Sequence, residues 1–353
     1  MKDVVVIGGG VLGQLAALAL SDRGRQVHVI DAGPARPPAS WAGGGILSAL
    51  FPWRCPEALT ALTRYALPAY QAIGERIVAV GGPDPEARVT GMLAYAEEDQ
   101  AEALAWAARQ GMRAASGDDF LAAVGLPSSR AGIWLPDIGT LRNPRLLKGL
   151  ARLLPACGVC IERPVSVRRL TPLPDGWRIS TSKGDVAARQ VLIAAGAWSA
   201  ELLAQLDVTL PLVPVQGEML LYPAGTPSPG AVILGHEGYV IPRADGRILV
   251  GSTLRRGQWD QRPSAGAAEA LRESAAVLWP PLADAAPVAQ WAGLRPGSDR
   301  AWPWLSGVPQ APGVFVAAGH YRNGLVSAPA SASLLASLMC DEVPETDPAP
   351  YAL

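Results

Sequence analysis

Residues suited to metal centres and disulfide frameworks are scarce in this chain: three histidines (His28, His236, His320) and four cysteines (Cys55, Cys157, Cys160, Cys340) among 353 residues. Only Cys157 and Cys160 have a suggestive spacing. No second Cys/His pair accompanies them, so Cys160 reads as part of a strand, Val159-Cys160-Ile161, rather than as half of a metal or redox site. No metal is expected. Charge is also sparse and balanced, with 30 basic and 31 acidic residues and a net charge of −1, which leaves no electrostatic footprint for nucleic acid or an anionic membrane. Small molecules become the expected partners. No uninterrupted apolar run reaches the ~18 residues of a spanning helix, so no integral membrane segment is expected. A homo-oligomer and peripheral membrane contact stay open. Repeats and low-complexity tracts are absent, and Met1-Lys2-Asp3 leads directly into an apolar strand that signal-peptide cleavage would destroy, so the expected location is cytoplasmic.

What is present is concentrated at the start. Val4-Val5-Val6-Ile7 is a run of β-formers that drops into Gly8-Gly9-Gly10-Val11-Leu12-Gly13, and an amphipathic helix follows. Gly8 permits the tight turn, Gly10 lets the backbone approach a pyrophosphate, Gly13 lets the helix pack closely on the sheet, and the helix N-terminus offers unpaired N–H groups to phosphate. A second strand, Gln26 to Ile30, ends at Asp31, where an acidic side chain about 20 residues beyond the glycines hydrogen-bonds an adenosine ribose. Strand, glycines, helix, strand and acid in that order predict an ADP-containing cofactor.

Past the turn-rich Pro34-Ala35-Arg36-Pro37-Pro38, the stretch Ala39 to Leu47 carries Gly43-Gly44-Gly45, which suits close approach to something flat or to phosphate. A long helical pattern with an internal proline is predicted from Glu57 to Ala79, then a strand from Arg88 to Tyr95 and helices from Glu98 to Gln110 and Pro144 to Leu154. Strand patterns resume over Cys160 to Val167, Trp177 to Ser180 and Gln190 to Trp198, the last ending in a glycine turn that opens a helix. From Pro211 onward, alternation at Val215 to Tyr222, Tyr239 to Pro242 and Arg247 to Gly251 predicts a mostly antiparallel sheet, interrupted by a helix from Ser264, its N-cap, to Leu278. The chain closes with a strand, Gly313 to Gly319, the turn His320 to Leu325 and a small-residue helix to Met339. The expected fold class is mixed α/β, with a Rossmann-like nucleotide-binding domain (1–80, 145–210 and 305–345) interleaved with a substrate domain on a large, mostly antiparallel sheet (81–144 and 211–304).

FAD is favoured over NAD. The glycine motif is N-terminal, and Gly319 to Leu325 reads as a second glycine-bounded helix start whose dipole and N–H groups suit a flavin ring that gains negative charge on reduction. The chain resembles the D-amino-acid oxidase superfamily of flavoenzymes, most closely its glycine oxidase branch associated with thiamine biosynthesis. The likeness covers nearly the whole chain and rests on Gly8 to Gly13, Ser40-Trp41-Ala42-Gly43-Gly44-Gly45, Val191 to Trp198, Tyr239-Val240-Ile241-Pro242-Arg243, Trp291-Ala292-Gly293-Leu294-Arg295-Pro296-Gly297 and Gly319-His320-Tyr321-Arg322-Asn323-Gly324.

That resemblance implies that Arg295 binds a substrate carboxylate, that Tyr239 assists, and that Arg322 lies beside substrate and flavin. It implies a FAD site formed by Gly8, Gly10, Val11, Leu12 and Gly13, by Asp31 and Ala32 at the adenosine, and by Val165 at the adenine. Ala39 and Ser40, the backbone of Gly44, Gly45 and Ile46 along the flavin ring, Gly196, and His320, Tyr321, Arg322, Asn323, Gly324, Leu325 and Val326 complete it. The family more usually has Glu at the ribose, one methylene longer than Asp31. No cysteine falls in Gly293 to Gly297 or Gly319 to Leu325, so the FAD is expected to be non-covalent.

The chemistry of these side chains agrees. A planar guanidinium grips a carboxylate with two parallel hydrogen bonds, which fixes the Cα–H of an amino acid over flavin N5, and hydride transfer then needs no protein nucleophile. The expected activity is oxidative deamination of glycine or another small amino acid or amine, the imine hydrolysing in water and molecular oxygen being reduced to hydrogen peroxide. A dehydrogenase passing electrons to a quinone or carrier is the alternative within this chemistry. A flavin-binding electron-transfer subunit without an amine substrate is the alternative outside it. Trp41 and Phe51-Pro52-Trp53 would either narrow the substrate pocket or pack in the core, and His320 reads as a satisfied turn residue rather than a base.

Overall fold

The computed structural model describes residues 1–33, 38–96, 98–124 and 131–353. Most of the turn-rich segment, residues 34–37, lies outside them. Val4 and Val6 point to one face of a sheet and Val5 and Ile7 to the other, and all four are buried, which is why the first strand reads as a continuous apolar run rather than an alternation. Removing each such side chain from water contributes roughly 1.5–3 kcal/mol.

This strand, Lys2–Ile7, is central in the first sheet. Its parallel neighbours are Val27–Ile30, followed by Cys160–Glu162, on one side and Gly184–Ile193, followed by Val314–Ala318, on the other; Trp304–Gly307 closes the edge antiparallel. The helix Val11–Ser21 packs on one face together with the small-residue helix Ala328–Met339, whose alanines and serines permit close contact.

The second sheet is built on Val213–Tyr222, which pairs antiparallel with Ala289–Gly297 on one edge and with Ile248–Gly251 on the other. Gly238–Pro242, Val232–Gly235, Met92–Tyr95 and Gly132–Leu135 continue it, with one parallel pair between Val232–Gly235 and Met92–Tyr95. The helix Ala265–Leu278 covers it, and Ser264 caps that helix through a side chain accepting from Ala267 N.

Several expected elements are cut by proline or glycine. The helix expected over Glu57 to Ala79 is two, Glu57–Thr63 and Ala66–Ala79, because Pro68 cannot donate to the Arg64 carbonyl and sits in the first turn of the second. Arg88 to Tyr95 divides at Gly91 (φ 72°), where a Cβ would stand 2.2 Å from the Trp134 ring. Cys160 to Val167 stops at Glu162, before Pro164, and the chain turns so that Val165 N donates to Asp31 O at 2.8 Å. A hairpin of Val167–Leu173 with Gly176–Thr181 stands where only Trp177 to Ser180 was expected, because the first of these strands is largely exposed and has little apolar alternation. The strand expected over Gln190 to Trp198 begins earlier, at Gly184, and ends at Ile193 before a short 3-10 turn at Gly196–Trp198. The last helix starts at Ala328, ahead of Pro329 in its first turn, so residues 320–327 form turns and not the helix start expected there.

Candidate active site

A cavity of about 700 Å³ runs between the two sheets, at the end of the first where Ile7, Ile30 and Ala318 finish their strands and Ala194 follows the end of another, Gly184–Ile193. That is within the size range of pockets that bury a small ligand or cofactor. One end is walled by the glycine loop. Gly8 (φ 114°) is held so close to the neighbouring strand that a Cβ would lie 2.3 Å from Ala194 O, and one on Gly13 would lie 1.9 Å from Gly8 O. Gly10 is different: the nearest protein atom to its Cβ position is Ser40 Oγ at 3.1 Å. Ser40 Oγ accepts from Val11 N at 2.9 Å, while the N–H groups of Gly10 and Leu12, both on the cavity wall, find no partner among the described residues. These are the donors a helix N-terminus presents to an anion.

Asp31 lies at the same end, with three donors already converging on it. Its Oδ2 accepts from Gly9 N at 2.6 Å, and its Oδ1 from Gly33 N at 2.9 Å and Arg163 Nε at 2.7 Å. A carboxylate offers about four acceptor directions, so one remains for a ligand hydroxyl. Asp31 thus braces the glycine loop as well as facing the cavity. Ala32 and Val165 line the cavity beside it.

At the other end, Ala39, Gly44, Gly45 and Ile46 form one wall. A Cβ on Gly44 would meet Tyr239 Cε2 at 3.0 Å, and Gly45 (φ 81°) has no room for one, with Leu141 O at 2.1 Å. Asn143 stands behind this loop. Its Nδ2 donates to Ser40 O at 2.8 Å, and its buried Oδ1 has no partner among the described residues.

Arg295 enters from the strand Ala289–Gly297, opposite Val215. Its Nη2 donates to Ser252 Oγ at 2.7 Å and its Nη1 to Thr253 O at 3.3 Å. No carboxylate pairs with it among the described residues, so it is not the member of an ordinary salt bridge there. Burial lowers its pKa, Tyr239 opposes that shift and the charge of Arg322 adds to it. An anion in the cavity would relieve both the burial and the repulsion. Tyr239 is buried, its hydroxyl directed at Met219 Sδ at 3.4 Å.

Residues 319–326 close the site. Tyr321 holds φ 47°, in the left-handed region that few non-glycine residues adopt, and its N–H donates to Pro296 O at 3.1 Å, tying this loop to the one that carries Arg295. His320 is buried, with its pKa lowered to about 3, and its Nε2 lies 3.3 Å from Ser331 Oγ, so it is a neutral turn residue at physiological pH.

The cavity brings together all the expected site residues except two: Gly196, His320, Tyr321, Arg322, Gly324, Leu325 and Val326 line it, whereas Gly13 and Asn323 do not. Gly13 packs against Gly8, and Asn323 O accepts from Ser327 N and Oγ. Sequence reasoning missed Ser252, Asn143 and Arg163 on the cavity wall, and Gly217 beneath Arg295. An isolated glycine inside a strand was a signal for the last. Trp41, Phe51 and Trp53 are not part of the wall. Trp53 is core, Trp41 packs edge-on against Trp291 at 5.5 Å, and Phe51 stacks on His236 at 5.3 Å. Cys157 and Cys160 do not act as a pair, since Cys157 Sγ accepts from Arg76 and Cys160 lies beside His28 and Glu162, away from the cavity.

The donor set suits FAD. N–H groups without a partner among the described residues and a side-chain-free Gly10 would suit a pyrophosphate, an acid would suit the ribose, and a flat glycine wall with the orphaned Asn143 Oδ1 behind it would suit a ring or its hydroxylated tether.

Comparison with known proteins agrees. The family profile described as FAD dependent oxidoreductase (DAO) matches residues 3–338. The chain is 44% identical to a glycine oxidase of Pseudomonas aeruginosa, covering 99% of this chain and 98% of that one, and 43% identical to a glycine oxidase of Pseudomonas putida with the same coverage. The crystal structure of glycine oxidase from Geobacillus kaustophilus superposes with a TM-score of 0.93 at 29% identity, over 100% of this chain and 98% of that one. Residues 3–338 take in both sheets and every wall of the cavity, and on that ground the chain belongs to the family of FAD-dependent oxidoreductases.

Proposed function

We propose that this enzyme oxidises glycine or another small amino acid at its amine-bearing carbon and passes the electrons to molecular oxygen. One observation carries the reading: Arg295, a cation without a carboxylate partner among the described residues, faces the cavity beside Tyr239 and across from the Gly44–Ile46 wall. Ser252 and Thr253 use one donor on each terminal nitrogen, which leaves the guanidinium its remaining N–H groups for a substrate carboxylate. Tyr239 narrows the space on one side of that carboxylate, and Arg322 adds positive charge on the other.

When bound, FAD would supply the two-electron acceptor for the hydride leaving the substrate Cα. The protein's part is to hold the carboxylate so that this Cα–H is presented to the ring, and to exclude water while it happens. A neutral His320 is consistent with a reaction that asks no more of the chain. The names of the relatives, glycine oxidase in each case, support the substrate class.

The test is anaerobic bleaching of the flavin by a panel of amino acids and their decarboxylated amines, followed by an oxygen-electrode and peroxide assay. Small amino acids should bleach the flavin far faster than the matching amines, with peroxide formed one-for-one with oxygen consumed. Bleaching without peroxide would make it a dehydrogenase. No bleaching by any amine would remove the proposal altogether.

A further inference from the structure

Arg243 stands outside the cavity wall yet is bonded to it. Its Nη2 donates to Gly44 O at 2.6 Å and its Nη1 to Leu141 O at 2.9 Å. Leu141 N in turn donates to Gly45 O at 2.8 Å, so both carbonyls of the Gly44-Gly45 pair are fixed. A trans peptide is planar, and its N–H points opposite to its C=O. With Gly44 O turned toward Arg243, Gly45 N–H points away from Arg243, to the side where Gly45 lines the cavity. That N–H has no partner among the described residues. The bonds on Gly44 O and Gly45 O hold the backbone in this pose, which only glycine can take, because φ of Gly45 is 81° and a side chain there would collide with Leu141 O.

We infer that Arg243 is a positioning residue whose charge polarises the Gly44-Gly45 peptide, making Gly45 N–H a strengthened donor to the acceptor edge of the flavin ring and stabilising that ring when it is reduced. The inference rests on the reading that the ring lies against Gly44 to Ile46. A hydrogen bond from a cation to a carbonyl draws electron density toward that oxygen, so the N–H of the same peptide becomes a better donor. Hydride uptake brings two electrons and one proton, leaving the ring one unit more negative, and the acceptor edge is where that charge gathers. Arg243 keeps its charge throughout the working range: desolvation and the neighbouring Arg142 lower its pKa only to about 10, with Glu86 and Asp245 opposing.

The same side chain separates electrostatics from simple scaffolding. Arg243→Lys retains a charge that can reach one carbonyl, whereas Arg243→Gln retains a hydrogen-bond donor without charge. The readouts are the midpoint potential of the bound flavin and the dissociation constant of the flavin–sulfite complex, which reports on negative charge added to the ring. For Arg243→Gln we expect a more negative potential and about tenfold weaker sulfite binding, the scale of one charge-assisted hydrogen bond, and for Arg243→Lys a value near wild type. An FAD-replete Arg243→Gln protein with unchanged potential and sulfite affinity overturns the inference.

A measurement on the unmodified chain stands beside it in case that variant does not fold. Hydrogen exchange at the Gly45 amide should slow when FAD is added to the apoprotein, and exchange there that ignores FAD would equally overturn the inference. Failure of the wild-type chain to take up FAD would instead refute the reading of the cavity on which it rests.

Discussion

The Arg295 guanidinium lies flat over Gly217: a Cβ built on that glycine would stand 1.9 Å from Nη1 and 2.3 Å from Nη2. The two residues are on the paired strands Val213–Tyr222 and Ala289–Gly297, where Val215 is the register partner of Arg295 and Gly217 sits one same-face step along. The cation can rest on the sheet because a side chain is missing there. Gly217→Ala should therefore displace Arg295 without touching the FAD site, and we expect a loss of roughly 10–100-fold in kcat/KM, within the range for misplacing a binding group by about an ångström. FAD content and the flavin absorption spectrum should be unchanged; normal kcat/KM in this variant would show that the arginine does not need its present place.

Replacing Arg295 itself is more severe. Arg295→Ala should remove the proposed carboxylate grip, at a cost of about 3–5 kcal/mol of productive binding, or roughly two to four orders of magnitude in kcat/KM. Arg295→Lys should recover only part of this, since an ammonium cannot form the two parallel hydrogen bonds. Steady-state kinetics on an amino acid and its decarboxylated amine decide the matter. Wild-type protein should prefer the amino acid strongly, and the alanine variant should lose most of that preference. A preference that persists in flavin-replete Arg295→Ala would move the carboxylate site to Arg322.

Gly10→Val should abolish FAD retention while leaving the fold intact, because its Cβ meets only Ser40 Oγ among the described residues and would otherwise enter the space we assign to the pyrophosphate. Flavin content after purification, with circular dichroism as the folding control, checks this. Full FAD occupancy in a folded Gly10→Val protein would mean that the glycine loop does not hold the cofactor.

The flavin should come away intact when the protein is precipitated with acid. No cysteine lies on the cavity wall among the described residues, and Cys55, the cysteine that feels the charge of Arg322, has its thiol pKa raised by burial, so that it is protonated and a poor nucleophile. A yellow supernatant over a colourless pellet is the expected outcome. Colour that stays with the pellet would establish a covalent link.

Acid stability should carry the mark of His320. Burial lowers its pKa in the folded chain to about 3, below the 6.5 of a free imidazole, so between these values the unfolded chain binds a proton that the folded chain refuses. The stabilisation due to neutral His320 is fully present above pH 6.5 and is lost as pH falls toward 3. The steepest contribution is about 1.4 kcal/mol per pH unit, one proton's worth. His320→Gln, which can still bond Ser331, should flatten the decline measured by urea denaturation at pH 7, 6 and 5. Parallel declines in the two proteins would show that His320 titrates normally.

The sequence by itself determined the nucleotide end of this protein, because the physics there is local. Gly8, Gly10 and Gly13 all fall between one strand and the start of the helix that follows it; Gly8 and Gly13 are required by close backbone contacts, with Ala194 O and Gly8 O, and Gly10 by the open space in front of it. The central strands of the first sheet, Lys2–Ile7 and Val27–Ile30, were legible for a related reason, since strands buried on both faces are apolar almost throughout, whereas the largely exposed Val167–Leu173 and the edge strand Trp304–Gly307 were not. What only the tertiary structure decided is how the arginines are used. Ser252 and Thr253 reach Arg295 across about forty residues of chain, Gly217 receives it by strand register, and Arg243 meets Gly44 across 199 residues. Nothing in the local pattern distinguishes an arginine facing a cavity from one paired at the surface. Asp31 makes the same point from the other side: its position announced a ligand contact, and only the folded chain revealed that most of its acceptor capacity is spent holding Gly9, Gly33 and Arg163, because those donors converge on it only when three separate strand ends meet.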